Sequence, residues 1–113
     1  MIALPGGLVA AGIGILLAGT TASADAYFQL HYDYEVATHC GRVSPEVERA
    51  FRVKRADADD TSHMDVSTRK ALRIRAYAEA AREYDNRGLG GHRAWCDTDG
   101  AVGVRRILGT ENK

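Results

Sequence analysis

The stretch STRKALRIRAYAEAAREYDNR, residues 67–87, decides the fold. Ala71, Ile74, Tyr77, Ala78, Ala81 and Tyr84 recur at i, i+3, i+4 and i+7 spacing, with Leu72 on the flank. That is the period of a helix with one face turned to a core. Arg75 and Glu79 stand one turn apart as an opposite-charge pair, a contact worth only tenths of a kcal/mol. Gly88 ends the segment, and Leu89 is placed to fold back on Tyr84 as the apolar contact of a Schellman cap. The run Gly88-Leu89-Gly90-Gly91 follows a helix and lacks a lysine, so it reads as a tight turn and not as a phosphate cradle.

Upstream, Asp57 to Asp65 reads as an acidic turn. Counted as a calcium loop from Asp57, it places Ser62 and Thr68 where a glycine and a glutamate are required. Asp97-Thr98-Asp99-Gly100 fails the same test, with Val102 and Leu108 at those places. Asp65 is instead expected to cap the helix that follows. Ser44-Pro45-Glu46 opens an earlier helix: a serine cap, a proline at the first helical position and acids at the positive end. Val47, Ala50 and Phe51 supply its buried stripe, and it is expected to end near Ala56. The two helices should then form an antiparallel hairpin across the acidic turn.

Asp25 to Cys40 carries two patterns. Phe28 to Val36 alternates apolar and polar residues as a strand does, while Tyr27, Leu30, Tyr34 and Ala37 fit a helical stripe. A lone strand needs a partner. The helical character of the rest favours helix, with Gly41 as its left-handed cap. His92 to Asp97 reads as a short fourth helix that sets Trp95 beside Cys96, and Gly100 to Lys113 as a tail whose Ile107 and Leu108 could dock. The expected fold is therefore all-α, with three main helices and a short fourth spanning 25–108, and with 109–113 flexible.

Residues 1–24 are uncharged and apolar and end in Ala22-Ser23-Ala24. Leu8 to Ala18 forms the apolar stretch of a secretory signal. Small residues at Ala22 and Ala24 mark cleavage before Asp25. No Lys or Arg precedes the apolar core. The rival reading is a retained membrane anchor, since spanning takes about 20 apolar residues. Pro5 and the glycines after it dilute the hydrophobicity and favour cleavage. Export implies an oxidising compartment, periplasm or exterior, where Cys40 and Cys96 have one possible pairing. Closing a loop of about 57 residues is worth roughly 4 kcal/mol in the chain-entropy picture. That is comparable to the whole stability of a small domain.

His39, Cys40, His92 and Cys96 are the candidate metal ligands; His92 and Cys96 stand one helical turn apart, but the set matches no recognised ligand spacing. Tyr27, His31 and Tyr34 share a face, with Tyr32 and His39 beside it. That face could meet a partner or a haem-like ligand, although no C-x-x-C-H attachment exists. Arg69, Lys70, Arg73 and Arg75 crowd a helix N-terminus, where the dipole disfavours cations. They either pair with the acidic turn or form a patch for an anionic partner.

Fifteen basic and fifteen acidic residues balance to zero net charge, which argues against a nucleic-acid partner. Twelve of the basic residues are arginines, which stay charged and pair in bidentate fashion. No G-x-S-x-G or H-E-x-x-H motif is present, and pairing leaves no cysteine free for catalysis. The expectation is an exported, non-catalytic accessory or interaction protein without a cofactor. Its partner would be an exported or membrane-associated protein, with membrane contact only if the leader is retained. The alternatives are a metal- or haem-binding carrier and a small membrane-anchored protein.

Overall fold

The structure, a computed structural model, describes residues 22–110. Residues 1–21 and the last three residues lie outside them, so the expected signal peptide or retained anchor falls almost wholly outside the described residues. The described residues are helical and contain no strand. Helix α1 covers residues 22–39, α2 runs Pro45–Thr61, and α3 runs Val66–Asp85. A last helical run comprises α4 (Gly91–Trp95), a π-helical turn (Cys96–Gly100) and α5 (Ala101–Leu108). The all-α fold closed by the Cys40–Cys96 disulfide is as expected, with Cα atoms 5.6 Å apart.

The caps form as their chemistry dictates. The Val47 amide donates to the Ser44 hydroxyl at 3.1 Å, and the Thr68 amide donates to the Asp65 carboxylate at 2.8 Å. The Thr68 amide also holds the Asp65 carboxyl below its ordinary pKa. Gly41 adopts a left-handed φ of 67° just past α1, a conformation that a side chain would strain.

Helix α1 is the centre of the molecule, not one wall of it. One side of it contributes Val36 and Tyr32 to a core shared with Ala80 of α3 and with Trp95 and Cys96 of the last run. Another side contributes Leu30 and Tyr34 to a core of Val47 and Phe51 from α2 and Ile107 from α5. Tyr27, His31, Asp33, Val36 and Ala37 are all buried, and they point in widely different directions around the helix. Burial on most sides explains the double pattern in the sequence, because a helix enclosed by neighbours need not show a single stripe.

Four expectations are corrected. Helix α2 continues to Thr61 instead of ending near Ala56. Its acidic extension is held by Arg55 and Arg69 pairing with Asp59, by the Tyr27 hydroxyl donating to Asp59 and by the Thr61 hydroxyl donating back to the Asp57 carbonyl. The turn proper is therefore short, with His63 at a φ of 59°. The expected hairpin is splayed: away from the Arg69–Asp59 ion pair, α2 and α3 hold α1 between them. Residues 101–108, expected as tail, are helical, and Ile107 is only 1% exposed against α2. Leu89 does not return to Tyr84 but stands fully exposed between Gly88 and Gly90, both of which have positive φ.

The phase of α3 also differs. Ala76 and Ala80 are its buried residues, while Ile74 and Tyr77 are 58% and 59% exposed. The reason lies on the core-facing side. Arg69 and Arg73 turn inward and find internal partners, so the buried stripe is polar at one end and alanine-lined at the other. Alanine permits close approach of α1.

Candidate functional site

Three places carry concentrated chemistry. The first is a buried polar network where α1, α2 and α3 meet. Tyr27 is 1% exposed, its hydroxyl donates to Asp59 at 2.8 Å, and it accepts from the Arg73 guanidinium at 2.9 Å. Burial raises its pKa, and the hydrogen bond to Asp59 adds to the rise. His31 lies one turn on, its ring 4.6 Å from that of Tyr27 and edge-on to Phe51 at 5.4 Å. It is 5% exposed, and its buried Nε2 has no hydrogen-bond partner among the described residues. Desolvation, reinforced by the positive charges of Arg55 and Arg73, pushes its pKa down to about 4. The imidazole is thus held neutral. The aromatic face read on α1 is core: Tyr34 stacks on Phe51 with ring centres 3.9 Å apart.

The second place is the candidate anion patch. Arg69 donates to the Met64 carbonyl and pairs with Asp59. Arg73 is held by the Tyr27 hydroxyl. Arg75 pairs with Glu79 and lies 4.2 Å from the centre of the Phe28 ring. Lys70 is exposed. Three of the four cations therefore have internal partners, and Arg69 and Arg73 turn toward the network just described. Nearer the last helix, a second internal clamp holds Asp33. It accepts from Arg106 Nε and Nη2 at 2.9 and 2.8 Å and from Gln29 at 2.8 Å. Gly103 leaves room for it, since a Cβ there would stand 3.1 Å from the Asp33 carboxylate. Asp33 and Gly103 gave no sequence cue, because their pairing spans the chain.

The third place is the disulfide end. His39, Cys40, His92 and Cys96 are brought together there, around one cleft of about 360 Å³ that Arg42, Tyr84, Arg93 and Asp97 also line. The two sulfurs are bonded to each other, which leaves the imidazoles as the only nitrogen or sulfur donors of that set. Both imidazoles pack against Tyr84, with ring centres 5.1 and 4.8 Å away. Among the described residues, no group of three or more His, Cys, Asp or Glu is placed to hold a metal ion. Arg42 reaches across to Asp97 at 2.8 Å, tying the loop after α1 to the π-helical turn. The wide turn lies at the staple, where Gly100 approaches closely: a Cβ there would stand 3.3 Å from Cys40 Sγ. π-Helical insertions recur at functional sites, and Cys96 and Asp97 of this one line the cleft.

The proposed cleavage residues Ala22, Ala24 and Asp25 fall in the first turn of α1, and the first core residue is Tyr27. Among the described residues, no helix is long and apolar enough to cross a membrane. The chain matches no family model, no curated protein and no solved structure.

Proposed function

We propose that the chain is an exported, non-catalytic accessory protein that binds a protein partner through the outward face of α3. In this reading residues 1–24 are a cleaved signal peptide, and the stapled domain works in an oxidising compartment, the periplasm or the exterior. The observation that carries the reading is the phase of α3. Ile74 and Tyr77 face solvent although the helix had alanines to place there, and Val66 at its start is 68% exposed. Arg75 is meanwhile paired with Glu79, and Lys70, one turn before Ile74, is an exposed cation beside this face.

Two further features support it. The disulfide is at home outside the reducing cytosol. Among the described residues, removal of 1–24 would take away only the first turn of α1, of which Ala22 is exposed and Ser23 and Ala24 are half-buried. The test is a photocrosslinking amino acid placed at position 74 in the intact host, with position 52 on α2 as control. A discrete adduct to an exported or membrane-associated protein from position 74, absent from position 52, supports the reading. No adduct from position 74, or the same adducts from both positions, overturns it.

A further inference from the structure

We infer that the cleft at the disulfide end binds a small oxyanion of the phosphate type, free or as the head group of a larger molecule. The cleft gathers basic side chains, and one of them, Arg93, has no ion-pair partner among the described residues. Of its lining residues, Arg42, Arg93, His39 and His92 are basic and Asp97 alone is acidic. Asp97 is committed to Arg42 at 2.8 Å. Arg93 is exposed and has no ion-pair partner among the described residues. Two guanidinium groups against one carboxylate leave one positive charge in excess at the cleft, in a chain with no net charge.

Three of the groups, His39, His92 and Arg42, are also held in position before any ligand arrives. Tyr84 fixes both imidazoles by ring packing. Arg42 is anchored at one end by Asp97 and packs along Gly100, where a Cβ would stand 3.8 Å from its Cδ and Nε. Its Nε–H is buried without a hydrogen-bond partner among the described residues. Guanidinium forks and imidazole N–H groups match the several lone pairs of a phosphate-type oxyanion, and such charge-assisted bonds are the stronger kind. The volume of about 360 Å³ is at the small end of ligand sites. It accommodates an oxyanion with one ring or chain attached. A larger cavity of about 420 Å³ is less suited: its two cations, Lys54 and Arg106, are matched by two carboxylates, Asp33 and Asp57, and Lys54 is bonded to the Arg106 carbonyl at 2.6 Å.

The experiment is a titration of the oxidised, ¹⁵N-labelled protein with phenyl phosphate, followed by amide and side-chain chemical shifts. Vesicles of phosphatidylglycerol are tested in parallel. Saturable shifts centred on His39, Arg42, Tyr84, His92 and Arg93 are expected. Arg93→Gln should weaken binding roughly fivefold to tenfold, the loss of one charge-assisted contact at a partly exposed site. Lys70→Gln, on α3, should leave it unchanged. Because Arg93 is exposed, its variant keeps the helical circular-dichroism spectrum and the disulfide, so a loss of binding is not a loss of fold. Perturbation of the same residues by the vesicles assigns the oxyanion to a lipid head group, and perturbation by phenyl phosphate alone assigns it to a soluble ligand. Either result supports the site. Shifts scattered over the surface arginines, no saturation at millimolar probe, or equal weakening by Lys70→Gln would overturn it.

Discussion

Acid should unfold this protein through His31. The imidazole is buried with its Nε2 unpartnered, between Tyr27 and Phe51, and the cations of Arg55 and Arg73 oppose its protonation. Asp59 is the one nearby group that favours the charge, and it already accepts from Tyr27 and pairs with Arg69. In the unfolded chain the imidazole titrates near 6.5; in the native state it is pushed down to about 4. Between those values the unfolded state binds the proton and the native state does not, so stability falls as pH falls. The contribution is complete above about pH 7 and lost by about pH 4. At 1.36 kcal/mol per pH unit the loss is capped at about 3 kcal/mol, a large fraction of the stability of a small domain. The assay is urea denaturation of the oxidised protein at a series of pH values, compared with His31→Leu, which keeps an apolar group of similar size and cannot titrate. The other groups that titrate in this range, Glu35 with its pKa raised by burial among them, are common to both proteins and cancel. The wild type should lose up to about 3 kcal/mol more than the variant between pH 7 and pH 4. Parallel stability curves would refute the reasoning.

Further perturbations test other parts of the structure. Gly103→Ala would stabilise an ordinary helix by about 1 kcal/mol. Here it should destabilise by about 1–2 kcal/mol in the same denaturation assay, because the new Cβ meets a carboxylate that Arg106 and Gln29 hold in place. On α3, Ile74→Glu should change stability by less than about 0.5 kcal/mol. Ala80→Leu on the opposite face should cost about 1–3 kcal/mol by overpacking against Val36 and Trp95, and the two urea midpoints together report the phase of the helix. Ser44→Ala removes the cap of α2 and should cost about 1 kcal/mol, read as a lowered thermal midpoint. Replacing both cysteines by alanine should cost roughly 4 kcal/mol of unfolding free energy if the 56-residue separation acts through chain entropy.

Much of the architecture was legible because local chemistry wrote it. Ser44, Pro45 and Asp65 mark helix starts by their capping preferences, and Gly41 marks an end. The cysteine pairing followed from there being two cysteines. What escaped was whatever depended on long-range partners. Ile74 and Tyr77 looked like core because apolar residues at helical spacing usually are. The choice of face was made instead by Arg69 and Arg73, whose inward turn depends on Asp59 and Tyr27 far away in sequence. Asp33 and Gly103 were invisible for the same reason: a buried carboxylate needs its Arg106 clamp, and neither residue announces the other. The end of α2 is not legible in the sequence because Asp57, Asp59 and Asp60 resemble a turn. Asp59 is helical since three other side chains reach it. At the disulfide end the structure brings His39, Cys40, His92 and Cys96 to one cleft. The cleft between them also depends on Arg42, Arg93 and Tyr84, which carried no motif.

The most direct measurement is the intact mass of the protein isolated from its host, before and after reduction and thiol alkylation. A species beginning at Asp25 that takes up two alkyl groups only after reduction is the expected result. It would establish export, cleavage and the native staple together. A full-length species whose Cys40 and Cys96 alkylate without reduction would contradict the account at its base.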